Sequence, residues 1–356
     1  MRAVAALFVF VFHAGVAAGF AKRVLPPIVI GGLTVAGVPS PVGFLSSGVN
    51  LFFLMVLQGR RVAAAAGARV FWRRRAARLL PSYWTALVVA MAIAPAAARA
   101  DLWPAFWLHT FVLHGFDRSA FIALNAPTWS LATEWQFYLV FPFAFRWLDR
   151  VGYRRFFWGA VLLALVLRTT IFLVPWPPVN AGTLPWASLV SYQLPGRLLE
   201  FALGMTLAEF WLETPAAGLA RLGRTVVMLA CVPMAVVRLA RVEILTDPFL
   251  GVFYAGAVAW WLGRSPHEGA ARSWWHRVGT SFGRQSYSFF LLHVPLFGAF
   301  APLIAMGDGP WTRFALALAM FPAAWLSAAL LYRIVEQPAC RWLRGDSPAT
   351  GALREV

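Results

Sequence analysis

The chain has 356 residues, 60% of them hydrophobic and only 13% charged, with a mean hydropathy of +0.68. Soluble domains run near a quarter charged, so this composition excludes a soluble enzyme and puts most of the chain in a bilayer. The net charge of +17 does not signal a nucleic-acid binder, because the arginines cluster between apolar spans and not on one soluble face.

The hydropathy pattern predicts an all-α integral membrane protein with about ten transmembrane helices and no soluble domain. The spans fall at roughly 3–21, 43–59, 79–98, 128–146, 156–174, 188–210, 225–240, 248–263, 285–305 and 312–332. A membrane domain over 1–340 and a short tail over 341–356 are expected. The first span opens on Arg2 and reaches His13 through apolar residues alone. Eleven residues make about three helical turns, so both side chains share a face about 16 Å apart along the axis. Arg2 then sits at a membrane edge and His13 near the bilayer centre. An imidazole at that depth is a functional candidate, and the alternative is a core histidine bonded to a neighbouring helix. The segment is not expected to be a cleaved leader, since it lacks a small-residue exit site and carries His13 in its middle.

The loop after the second span reads Trp72-Arg73-Arg74-Arg75-Ala76-Ala77-Arg78. Arg75 and Arg78 are three apart, so on a helix they point one way, and paired guanidinium forks suit phosphate oxygens. A topological role alone also accounts for arginines in such a loop. The stretch 102–115 is apolar but short, and is expected to be re-entrant or interfacial. It carries His109 and His114, a loose pair without the carboxylate or cysteine company of a metal site. Pro127 and Thr128 suit a helix start, which puts Glu134 nearly two turns inside the fourth span, in the outer half. A carboxylate there is functional or belongs to an ion pair, with Arg168 or Arg197 as the partner.

In the sixth span Arg197 and Glu200 are three apart and are expected to neutralise each other, a structural role first of all. Cys231 lies in an apolar run and Cys340 in the tail, so no disulfide framework or CxxC metal site is predicted. The ninth span carries Tyr287 and His293, a second imidazole near the midplane that alone reads as a packing or hydrogen-bonding residue. Arginine supplies all but one of the 31 basic residues, which suggests a GC-rich bacterial genome. Of those 31, 22 fall on one side if 102–115 does not cross, seven on the other, and two within spans. The positive-inside rule then makes both termini cytoplasmic, in a bacterial cytoplasmic membrane.

One chemistry links these pieces: acyl transfer from a phosphate-bearing thioester. Arginines would hold the nucleotide end of coenzyme A, its pantetheine arm would reach toward His13, and His13 would act as general base on an acceptor hydroxyl. The same residues resemble the acyltransferase 3 family of membrane O-acyltransferases. Arg2 to His13 is similar to the family's arginine–ten residues–histidine signature. Gly48-Val49-Asn50-Leu51-Phe52-Phe53 is similar to a second-span motif, with Asn50 where aspartate is usual. Arg75-x-x-Arg78 before Leu-Leu-Pro-x-Tyr, and Trp129-Ser130-Leu131-x-x-Glu134-x-x-Phe137-Tyr138, resemble two more. Gly283-x-x-Ser286-Tyr287 through His293, and Val335-Glu336-x-Pro338, resemble the closing motifs.

The resemblance implies a cytoplasmic acyl-CoA donor, acetyl-CoA in particular, with no bound cofactor or metal. It implies that His13 is essential. The residues taken together make His13 the expected base, Glu134 the second catalytic residue that orients it or the acceptor, and Arg2, Arg75 and Arg78 the donor-binding set. Asn50, Trp129, Ser130, Tyr138, Arg197, Glu200, Tyr287 and His293 are further site candidates. The acceptor is a glycan, glycolipid or secondary metabolite at or beyond the outer face, as in cell-envelope polysaccharide O-acetylation. A glycan or lipid-linked-sugar transporter, or an inactive scaffold relative, is the alternative.

Overall fold

The computed structural model describes residues 2–20, 28–30, 33–35, 59–178, 184–239, 243–264 and 274–344. The second span, at 43–59, and Asn50 lie outside the described residues. A hairpin pairs β1 (Ile28–Ile30) with β2 (Leu33–Val35), Val29 opposite Thr34; among the described residues all other regular structure is helical.

Helix α1 (Arg2–Ala17) is unbroken, as its run of apolar residues dictates. Helix α2 (Gly59–Ile93) is two helices joined at a kink, where Gly67 takes φ 74°. That positive φ costs glycine nothing and would strain any residue with a Cβ. The second half of α2 carries Arg73, Arg74, Arg75 and Arg78, so the basic stretch expected as a loop is helix. Arginine and alanine are good helix formers, and the stretch has no glycine or proline to stop them. The segment expected at 102–115 forms α3 (Ala96–Thr110), then turns at His114–Phe116 and Ala126–Thr128.

The chain continues through α4 (Trp129–Val151) and α5 (Tyr153–Leu173), with Gly152 between them at φ 78°. The expected sixth span is broken at Gln193 into α6 (Trp186–Tyr192) and α7 (Leu194–Glu213). Pro195 accounts for the break, since proline favours a first-turn position and disfavours helix in the residue before it. Helices α8 (Ala216–Leu239) and α9 (Glu243–Leu262) form a close pair. A Cβ on Gly223 would lie 2.2 Å from the Trp260 nitrogen, so the missing side chain sets the approach. Then come α10 (Trp274–Ala299), α11 (Ala301–Ala305), α12 (Pro310–Ala319), α13 (Phe321–Leu331), a π-helical turn at Tyr332–Glu336 and α14 (Gln337–Arg344).

Among the described residues, four helical stretches are long and apolar enough to cross a membrane: Gly67–Ile93, Tyr153–Leu173, Ala216–Val236 and Pro310–Trp342. The others are shortened by breaks or carry buried polar residues. Outward-facing Leu173, Leu229 and Val232 are 68–76% exposed, apolar surface that suits lipid and not water. One core packs Phe71, Tyr83, Phe137, Phe141 and Phe201 between α2, α4 and α7. A second packs Phe10 of α1 against Phe289 and Phe297 of α10. These two cores hold α1, α2, α4 and α10 around a set of polar side chains that includes His13, His293, Arg75 and Glu134.

Candidate active site

Helices α1 and α10 run side by side and bring His13 and His293 together. The rings are 5.0 Å apart at 61°, with His293 Nε2 3.1 Å from His13 Nδ1. Each Nδ1 also faces a backbone carbonyl on its own helix. His13 Nδ1 is 2.8 Å from the Val9 oxygen, and His293 Nδ1 is 3.2 Å from the Phe289 oxygen. A carbonyl only accepts, so each Nδ1 carries the proton, a tautomer assigned from the hydrogen-bond network. His13 Nδ1–H then donates to Val9 and to the bare Nε2 of His293, and its own Nε2 keeps a lone pair. His293 is fully buried, stacked on Phe289 and edged by Phe10 and Phe297, so its ring has little freedom. His13 is half-buried, which leaves it open on one side. Its partner is thus a second imidazole, and the reading of His293 as an isolated packing residue is replaced by a pair.

A group of arginines lies below this pair, toward the Arg2 end of α1. The Arg75 guanidinium sits over the rings of Phe71 and Tyr138, 5.3 and 5.2 Å from their centroids. Arg78 Nε is 3.9 Å from Glu336 Oε1, and Ser288 donates to Glu336 Oε2 at 2.7 Å. Tyr287 donates to the Leu79 oxygen at 3.0 Å, which ties α10 to α2 beside Arg78. Glu134 accepts a hydrogen bond from Tyr138 and feels the charges of Arg75, Arg78 and Arg2. Glu134 is therefore set among the arginines, and its ion partners are not Arg168 or Arg197. Ser288 precedes His293 by five residues on α10, so the Glu336 contact is about 8 Å down the axis from the imidazole pair. Arg2 is further down, about 16 Å from His13 on the unbroken α1. The arrangement is a cationic floor beneath a neutral base.

Arg168 and Arg197 instead converge on Asp247, a residue that hydropathy alone did not single out. Arg197 Nη1 is 2.9 Å from Asp247 Oδ1 and 3.2 Å from Glu200 Oε1; Arg168 Nη2 is 3.1 Å from Asp247 Oδ2. Asp247 was legible as the one acidic residue directly before the eighth span, in Asp247-Pro248. Trp129 stands beside this cluster, with Arg197 5.8 Å from its ring. Ser130 donates to the Pro127 oxygen at 3.0 Å and closes the turn that starts α4.

His109 and His114 are a tight pair, stacked 3.8 Å apart and 8° from parallel, and both fully buried. Each donates from Nε2 to a carbonyl, of Ala120 at 2.9 Å and Thr128 at 3.0 Å. Tyr83 Oη lies 3.0 Å and 3.4 Å from their Nδ1 atoms. Burial holds His109 down at about 3 and His114 at about 4, so both are neutral. The cluster fastens the segment between α3 and α4. In the same segment the Ser119 hydroxyl and the Ser119 and Ala120 N–H groups bond Asp117 and hold its carboxyl below the usual value. Among the described residues no three histidine, cysteine, aspartate or glutamate side chains gather as metal ligands.

The family model described as an acyltransferase domain matches residues 1–333. The chain belongs to the acyltransferase 3 family. It is 26% identical over 373 residues to acyltransferase MdmB of Streptomyces mycarofaciens, an alignment covering 99% of this chain and 93% of that protein. No solved structure matches. The chain is thus an acyltransferase, and a membrane one. Arg2, Arg75, Arg78, His13, Glu134 and His293 all fall within the matched region.

Proposed function

We propose that this acyltransferase moves an acyl group, acetyl in the simplest case, from acyl-CoA to a hydroxyl of a glycan, glycolipid or secondary metabolite. The observation that carries the reading is the hold on His13 Nδ1, against the Val9 oxygen at 2.8 Å and His293 Nε2 at 3.1 Å, which leaves Nε2 as the basic nitrogen above the arginine floor. His13 Nε2 takes the acceptor's hydroxyl proton, and the oxygen attacks the thioester carbonyl. The C–S bond breaks as the C–O ester forms, and the imidazolium returns its proton to the departing thiolate. Arg75, Arg78 and Arg2 hold the phosphates of the donor, and Glu134 with Glu336 spaces the guanidinium groups so that they do not repel one another. His293 positions His13 without touching substrate.

The same reading places about ten spans in a bacterial cytoplasmic membrane with both termini cytoplasmic, on the strength of the basic asymmetry. The domain runs over 1–340, with 341–356 as its tail. The test is transfer of label from acetyl-CoA to a hydroxyl acceptor by the protein in nanodiscs. An ester product that needs the thioester supports the reading. Movement of the acceptor with no donor and no ester would replace it with a transporter.

A further inference from the structure

Helix α10 carries a proline in its interior, Pro295, two residues beyond His293. Proline has no N–H, so the carbonyl four residues earlier loses its usual helical partner, and the ring crowds that same carbonyl. The residue four before Pro295 is Leu291. His293 thus sits inside the turn where the helical ladder is broken. Leu291 is fully buried, so water does not reach its carbonyl, and a fold rarely leaves such a group unpaired. Helices bend where a proline interrupts them, so this turn needs an outside restraint to hold one shape.

The restraint comes from a distant segment. Asn125 Nδ2 donates to the Leu291 oxygen at 2.8 Å. Asn125 is fully buried and stands just before the turn Ala126–Thr128. It is itself held from behind. Its backbone oxygen accepts from the Thr128 N–H at 3.0 Å and from the Thr128 hydroxyl at 2.7 Å, and the Thr128 oxygen accepts from His114 Nε2. The amide has one sensible orientation, since turning it over would set its oxygen against the Leu291 oxygen. So oriented, Asn125 Oδ1 is buried with no hydrogen-bond partner among the described residues. A leucine would fill similar space without that unmet oxygen, so what the amide adds here is its N–H.

We infer that Asn125 is a positioning residue for the histidine pair: it supplies the donor that Pro295 withholds from the Leu291 carbonyl, and so fixes the turn of α10 that carries His293. The inference rests on the acyl-transfer reading, in which His293 holds His13. Asn125 is buried and bonds backbone, so it acts through α10 and not on substrate. The margin it guards is narrow. His293 Nε2 is 3.1 Å from His13 Nδ1, near the long end of the hydrogen-bond range, so a shift of about 0.5 Å in this turn takes the pair out of contact. The stacked His109–His114 cluster, which fastens the segment before α4, is thereby tied through Thr128 and Asn125 to the base.

The test compares the full chain in nanodiscs as wild type, Asn125→Leu, Pro295→Ala and the double variant. Alanine at 295 restores an N–H, so the Leu291 carbonyl then has its own helical partner and no longer needs Asn125. Two quantities are read: acetyl transfer from labelled acetyl-CoA, and deuterium uptake by the peptide 289–299. Asn125→Leu should lower kcat roughly tenfold with the acetyl-CoA KM within about twofold, since a displaced base costs rate and not donor affinity. It should also speed uptake in that peptide. In the Pro295→Ala background the same substitution should change rate and uptake by no more than about twofold, the mark of two coupled sites. Equal losses in both backgrounds, or unchanged rate and uptake in Asn125→Leu, overturn the inference. If Asn125→Leu does not fold, recovery of folding by Pro295→Ala is the same coupling, and no recovery overturns it. Wild-type protein that transfers no acetyl group removes the acyl-transfer reading, while uptake in the four proteins still decides whether Asn125 and Pro295 are coupled.

Discussion

Replacing His293 by alanine removes the group that shares the His13 Nδ1 proton. The 2.8 Å bond to Val9 remains, so the tautomer of His13 survives while one of its two restraints is lost. A neutral hydrogen bond contributes about 0.5–1.5 kcal/mol, a factor of about 2 to 12. Misalignment of a base adds to that, and small displacements cost up to about 100-fold. We therefore expect kcat to fall between about 10- and 100-fold. The KM for acyl-CoA should stay within about twofold, because the arginine floor is about 8 Å or more down α10. His293→Gln should recover part of the loss, since its amide oxygen can accept from His13 Nδ1–H. The assay is acetyl transfer by protein in nanodiscs across pH 6–9, with a thermal melt to confirm folding. A folded His293→Ala protein with near wild-type kcat, or one whose defect is in donor KM alone, would refute the positioning argument.

Arg75→Ala and Arg78→Ala should each weaken acyl-CoA binding by roughly 1.5–3 kcal/mol, read by calorimetry, with acceptor KM little changed. Unchanged donor affinity would remove them from the donor site. His109 and His114 are held at about 3 and about 4 against 6.5 in the unfolded chain. Their neutral forms are favoured by folding, so the stability they contribute is complete above pH 6.5 and is lost as pH falls toward 4. Near pH 5 each ring has given up about 2 kcal/mol, and the melting temperature should drop accordingly. A flat melting temperature from pH 7 to 5 would contradict that, provided His109 and His114 are intact. Reporter fusions at Asp117 and after Arg344 should report opposite sides, Asp117 outside. A cytoplasmic signal at Asp117 would mean that 102–115 crosses.

The parts of the site that follow from local spacing were readable in the sequence. Arg2 and His13 share a face because eleven residues on an unbroken helix close three turns. Arg197 meets Glu200 for the same reason, at a spacing of three. What depends on pairing distant helices was not readable. Nothing in residues 1–20 says that His13 meets a residue 280 positions away, and no local pattern sends Arg78 to Glu336 or Arg168 to Asp247. The helix that holds Arg75 and Arg78 was hidden by charge, because a run of arginines reads as loop while its backbone propensity is helical. The break at Gln193 was signalled by Pro195 and masked by apolar residues on both sides. His109 and His114 looked loose at five residues apart, and the turn after α3 stacks them.

In the proposed reaction His13 takes the acceptor proton. Single-turnover transfer from labelled acetyl-CoA by His13→Ala, with donor affinity measured on the same sample, tests it most directly. Donor binding should stay within about twofold of wild type and transfer should fall by at least about 100-fold, the range of a lost general base. Transfer near the wild-type rate in that folded, donor-binding variant would contradict it.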